Sequence, residues 1–79
     1  MSQQYDMFVA KLKAMQTQLK PQKLILKQYK KWRPAVINSL YTELVFAIIK
    51  GDRTAMAEAH KKIAYVNALE ETIKTGILE

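Results

Sequence analysis

The sequence predicts an all-α protein: a compact bundle of three to four helices with a C-terminal antiparallel helical hairpin. Three observations predict it. Only two glycines and two prolines occur in 79 residues, too few punctuating residues for a protein of strands and turns. Apolar residues recur at three- and four-residue spacing rather than in alternation. The pair Gly51-Asp52 separates two long periodic segments, as a tight turn between helices does.

The length allows one domain, 1–79. A domain of this size buries only about 60–65% of its unfolded surface and needs extra stabilisation. Cysteine is absent, so that help is neither disulfide nor thiolate–metal, and a single histidine excludes a zinc site of two histidines. Helix packing or self-association is what remains. No charged-then-apolar leader with a small-residue cleavage site is read at the N-terminus. The longest apolar run, Leu44 to Ile49, is far shorter than the roughly 20 residues that span a bilayer. A soluble chain of the cytoplasm, or of a particle assembled there, is expected.

The first helix is expected over about 3–19. Tyr5, Phe8, Val9, Leu12, Met15 and Leu19 share one face, Ser2 is placed to cap, and Asp6 lies in the first turn, where the helix dipole favours an acid. Pro21 ends or resets the chain by pushing Lys20 out of the α region. It suits the first position of a second helix, about 21–32. There the stretch KLILKQYKKWRP separates cleanly on a helical wheel. Ile25, Tyr29, Trp32 and Val36 fall within about 60° of one another. Lys20, Lys23, Lys27, Lys30 and Lys31 fall opposite, with Leu24 and Leu26 on the flanks.

Pro34 removes a backbone bond and crowds the Lys30 carbonyl, so it either separates two helices or kinks one. The third segment, 34–50, is apolar almost all round, with Glu43 and Lys50 its only charges. Such a helix is expected to be buried nearly all round, as the central helix or also as an oligomer interface through residues 36–49. Gly51 then supplies the left-handed stop and Asp52 the cap of a fourth segment, 53–75. That helix carries the stripe Met56, Ala59, Ile63, Val66, Leu69 and Ile73. Glu58/Lys62 and Glu70/Lys74 sit at i,i+4 in the favourable order. Ala55, Ala57, Ala59, Ala64 and Ala68 permit close approach of a neighbour, and Gly76 is the expected stop.

Catalysis finds no support in the spacing. His60 has no orienting carboxylate on its face, since Glu58 is two residues away. The acids Asp6, Glu43, Asp52, Glu58, Glu70, Glu71 and Glu79 are scattered, Ser2 and Ser39 have no nearby base, and no glycine-rich phosphate loop occurs. The expectation is a non-enzyme without cofactor or metal.

The functional signal is charge. From Met1 to Leu40 there are eight Lys/Arg against one acid, Asp6, a local charge of +7; from Tyr41 to Glu79 the local charge is −1. The whole excess of +6 therefore lies in the first half. Lys20, Lys23, Lys27, Lys30, Lys31 and Arg33 are the candidate binding residues. They suit an acidic protein surface, which they would steer and orient. The alternative is DNA or RNA, with lysines on phosphates and Tyr29, Trp32 or Arg33 adding stacking or base contacts. That alternative is weakened because the aromatics lie opposite the lysines. A membrane surface is disfavoured, because the basic amphipathic stretch is only about eleven residues long and its apolar face is needed for the core.

Residues 51–73, GDRTAMAEAHKKIAYVNALEETI, resemble the Gly-Asp, small-residue, His, Ile, Leu-Glu-Glu pattern of short helical-hairpin proteins encoded by tailed bacteriophages. The resemblance covers under a third of the chain. It implies a small accessory, host-takeover or virion-assembly protein in the host cytoplasm or the virion, and it carries over no catalytic residue. Together these readings describe a small adaptor or regulator that docks on another macromolecule through a basic helical face.

Overall fold

The computed structural model describes residues 3–76. Three helices follow one another, α1 (Gln3–Thr17), α2 (Gln22–Lys50) and α3 (Arg53–Thr75), and the described residues contain no strand. The protein is all-α, and the bundle has three helices because the second and third expected segments are one. Helix α2 runs through Pro34 without interruption. The physical reason lies in where the proline falls: Pro34 and Lys30 are both exposed, so water can satisfy the carbonyl that Pro34 leaves without a donor.

At 1.5 Å per residue, α2 is about 43 Å long, α3 about 34 Å and α1 about 22 Å. The molecule accordingly measures 42 × 18 × 16 Å, with a radius of gyration of 13.4 Å. A globule of this length has a radius nearer 11–12 Å, so the bundle is elongated along the axis of its longest helix. The α2–α3 hairpin is the principal packing unit, and α1 packs along the N-terminal half of α2.

The core is the side of each helix that the spacing selects. Phe8 and Leu12 of α1, Ile25, Tyr29, Val36 and Leu40 of α2, and Ile63, Val66, Leu69 and Ile73 of α3 form one buried cluster. Tyr5, Val9, Met15, Leu26, Trp32, Ile37, Leu44 and Tyr65 are partly buried against it. Phe8 and Tyr29 meet at 5.8 Å between ring centroids, and Tyr5 meets Tyr65 edge-on at 6.3 Å, which ties α1 to both other helices.

The helix ends explain the boundaries. Helix α1 closes with Lys20 N–H bonded to the Met15 carbonyl and Leu19 N–H to the Gln16 carbonyl, a Schellman closure. Leu19 occupies the left-handed position at φ 57°, where glycine is usual, and is 90% exposed. It therefore does not join the apolar face of α1 as its spacing suggests; the chain has already turned. Pro21 precedes α2 with an extended ψ of 142° and accepts from Leu24 and Ile25, so the helix starts one residue later than expected. The Ser2 cap lies outside the described residues, whereas Asp6 sits in the first turn of α1 as expected.

Gly51, at φ 70°, stops α2, and Asp52 N–H returns to the Ala47 carbonyl. The Asp52 carboxylate then accepts from Ala55 N–H at 3.0 Å, capping α3. At the far end Gly76 is left-handed at φ 80°. There Gln22 donates to the Ile73 carbonyl at 2.6 Å and also bonds that of Lys74, while Gln16 donates to that of Gly76 at 3.2 Å. Side chains from α1 and α2 thus supply donors to the terminal carbonyls of α3. The expected Glu70/Lys74 pair is replaced: Glu70 meets Lys30 of α2 at 4.0 Å, and Lys74 meets Glu71 at 3.9 Å.

Candidate docking surface

Helix α2 sets the geometry of the candidate surface because its two halves share one rotational frame. At 100° per residue, Ile25, Tyr29, Val36, Leu40 and Ala47 cluster on the side that the other helices cover, and all five are buried. Lys23, Lys27 and Lys31 lie on the side facing away, with Lys30 at its margin toward α3. All four are exposed, as is Lys20 in the turn before the helix. Lys23 and Lys31 are about 12 Å apart along the axis.

Among the described residues, Lys30 has Glu70 at 4.0 Å, a pair exposed to solvent and worth well under 1 kcal/mol. Lys20, Lys23, Lys27 and Lys31 have no carboxylate within 4.0 Å among the described residues. Lys11 of α1 adds to this charge from the flank, its ammonium 5.2 Å from the Trp32 ring centroid.

Arg33 stands apart from the lysines. It is half-buried, turned about 100° toward α3, and its guanidinium donates to the Asn67 side-chain oxygen at 2.5 Å. Tyr29 is buried and donates to the Val66 carbonyl at 2.7 Å. Burial pushes its hydroxyl above the ordinary tyrosine value, with the Arg33 charge pulling the other way. The lysines are therefore brought together on one surface, while the aromatic and guanidinium groups of the same stretch serve the fold.

The same outward side continues past Pro34 and changes character. Tyr41, Val45, Ile48 and Ile49 are 50%, 53%, 57% and 73% exposed. The expectation that segment 34–50 is buried nearly all round is corrected here: Val36, Leu40 and Ala47 are buried, and the rest are half-buried or exposed. The cause is arrangement: α1 and α3 both pack on the inward side of α2, so its outward side stays open past Pro34 as it does beside the lysines. Length adds to this on the side that α1 would cover, where Phe46 is 57% exposed. Where α1 stops, beside Gln4, an open groove of about 830 Å³ continues its track between α2 and α3, lined by Ser39, Thr42, Glu43, Phe46 and Ala55 among others.

His60 is exposed on α3 and lines neither groove that Glu43 borders. Among the described residues no three His, Asp or Glu gather where they would hold a metal ion, and no helix is long and apolar enough to cross a membrane. Sequence reasoning offered residues 36–49 as an oligomer interface but did not single out the exposed stripe within them. Its signal was present in the wheel positions of Ile37, Tyr41, Val45 and Ile48, which align with Lys23, Lys27 and Lys30 once α2 is known to be continuous.

Fold and surface define a three-helix all-α domain whose longest helix presents a face that is basic in one half and apolar in the other. No protein-family model, curated protein or solved structure gives a significant match to the chain.

Proposed function

We propose that the chain is a small non-enzymatic adaptor or regulator that docks on an acidic protein surface through the lysine half of α2. The observation that carries this reading is the arrangement of Lys23, Lys27, Lys30 and Lys31. They stand on the outward side of one continuous helix, with Lys20 at its root, and only Lys30 has an acidic neighbour among the described residues. Preplaced like charges on a rigid element raise the encounter rate with an acidic patch and fix its orientation.

An acidic protein is favoured over DNA or RNA because the groups that would read or stack on bases are already engaged: Tyr29 with Val66, Trp32 beneath Lys11, Arg33 with Asn67. The separation of Glu43 from His60 supports the non-enzymatic part. The resemblance of residues 51–73 to phage-encoded helical-hairpin proteins is what favours a host or virion protein as the partner and the host cytoplasm or virion as the place.

The test is affinity capture from host cells with the full chain and with Lys27→Glu/Lys31→Glu, helicity being checked by circular dichroism. Loss of a captured partner from the folded variant is expected. Equal capture by both would assign the lysines to solubility and overturn the proposal. A mobility shift of DNA or RNA at low salt, with affinity falling steeply as salt rises, would turn it to the nucleic-acid alternative.

A further inference from the structure

We infer that the apolar half of the outward face of α2 pairs with the same face of a second copy, antiparallel and about a two-fold axis near Leu44 and Val45. The stripe Ile37, Tyr41, Leu44 and Ile48 follows the four-three-four spacing that seats one helix against another, and Val45 and Ile49 broaden it. A two-fold axis there sets Tyr41 against Ile48 of the second copy and Val45 against Leu44. Each contact is then made twice, as a self-complementary interface requires.

Three observations favour a second copy as the occupant. The first is charge. The only charged residues of this half-helix, Glu43 and Lys50, lie on the far side, roughly 170° round from the stripe, so no charge of α2 is buried between copies. The second is the position of the lysines. In an antiparallel pair Lys27 lies about 26 Å from the axis, so the two Lys27 residues stand about 50 Å apart, several Debye lengths at physiological salt. A parallel pair would set both lysine rows side by side.

The third is area. An aromatic side chain covers 150–250 Å², so half-exposure leaves on the order of 100 Å². Tyr41, Val45, Ile48 and Ile49 at 50–73% exposure thus present about 400 Å² per copy, and the half-buried Ile37 and Leu44 add to it. Two copies reach about 1,000 Å², where specific interfaces begin. The dimer is accordingly weak and concentration-dependent, and salt does not dissociate it.

One consequence rests on the function proposed above. Each copy ends at the Gly51-Asp52 turn, short of its neighbour's lysines, so both lysine rows stay open at opposite ends of the pair. Such a dimer bridges two acidic partners and binds a repeated one with avidity.

The chain has no cysteine, which makes crosslinking a clean test of this geometry. Under mild oxidation Val45→Cys, close to the axis, is expected to form a covalent dimer, and Lys27→Cys is expected to remain single. In light scattering, mass is expected to rise from 9.1 kDa toward twice that value with concentration. Val45→Glu, at a position 53% exposed in the folded chain, is expected to hold it at the monomer value with helicity unchanged. Crosslinking through Lys27→Cys would overturn the antiparallel arrangement. A wild-type chain that stays monomeric up to millimolar concentration, or a Val45→Glu chain that dimerises equally, would overturn the interface. Lys27→Glu/Lys31→Glu is expected to dimerise as the wild type does, so failure of the docking proposal leaves this result standing.

Discussion

The phenolic oxygen of Tyr29 donates a hydrogen bond to the Val66 carbonyl oxygen across 2.7 Å, inside the seam between α2 and α3. Both residues are buried, and the bond registers the two helices against each other. Tyr29→Phe keeps the ring against Phe8 and removes only the hydroxyl. A loss of about 0.5–1.5 kcal/mol in urea unfolding is expected, because the Val66 carbonyl is still within α3. The same variant has a pH signature. Burial raises the Tyr29 pKa above its unfolded value of 10.0, so its contribution is full below about pH 10 and declines as pH rises through the folded value. Wild-type stability is therefore expected to fall faster than that of Tyr29→Phe above pH 10. Parallel curves would show that Tyr29 ionises equally in both states. Tyr5, also raised by burial, keeps some alkaline sensitivity in the variant.

Leu19 holds a left-handed conformation that costs a residue with a Cβ about 1–2 kcal/mol, and its 90% exposed side chain recovers almost nothing by packing. Leu19→Gly is expected to stabilise the protein by up to about 1 kcal/mol after the added entropy of the unfolded chain is subtracted. A rise in thermal midpoint of a few degrees checks it; a fall would mean that Leu19 makes contacts its exposure conceals.

Pro34 sits inside a 29-residue helix, where proline is about 3 kcal/mol worse than alanine. The stiffer unfolded chain of the proline form returns about 0.4–1 kcal/mol of that. Pro34→Ala is thus expected to raise stability by about 2 kcal/mol, or roughly 10 °C in thermal midpoint for a domain of this size. A destabilised variant would show that the proline shapes α2 for its packing.

Asp52 is expected to matter through its cap alone. Asp52→Ala leaves Ala55 N–H without its partner and costs about 1 kcal/mol, whereas Asp52→Asn preserves the bond and costs much less. At its neighbour, Gly51→Ala meets no atom within 4 Å, so its loss of about 1 kcal/mol is conformational, not steric. Denaturant titration of the three variants separates the two effects. An Asp52→Asn chain as weak as Asp52→Ala would assign the residue to charge instead of hydrogen bonding.

Much of the fold was legible because local signals and the core agree. The stripes of α1 and α3, the inward set Ile25, Tyr29 and Val36, and the Gly51-Asp52 turn are all properties of residues within a few positions of each other. The lysine half of the surface was legible for the same reason, since Lys23, Lys27 and Lys30 recur at helical spacing. The engagement of Arg33 was not legible, because its spacing puts it on the margin between solvent and α3. Only the position of Asn67, 34 residues away, decides which way it turns.

The sequence by itself determined the helical class, the hairpin, the faces that pack and the concentration of charge in the first half, because helical periodicity, turn chemistry and net charge are local or additive. Only the tertiary structure decided the rest. A proline ends a helix or is carried within it according to its surroundings, and in α2 both Pro34 and Lys30 are exposed. An apolar segment is buried only as far as its neighbours reach, and α1 stops short of the last turns of α2. The exposure of Tyr41, Val45, Ile48 and Ile49, in line with the lysines, follows from both neighbouring helices packing on the other side of one continuous α2.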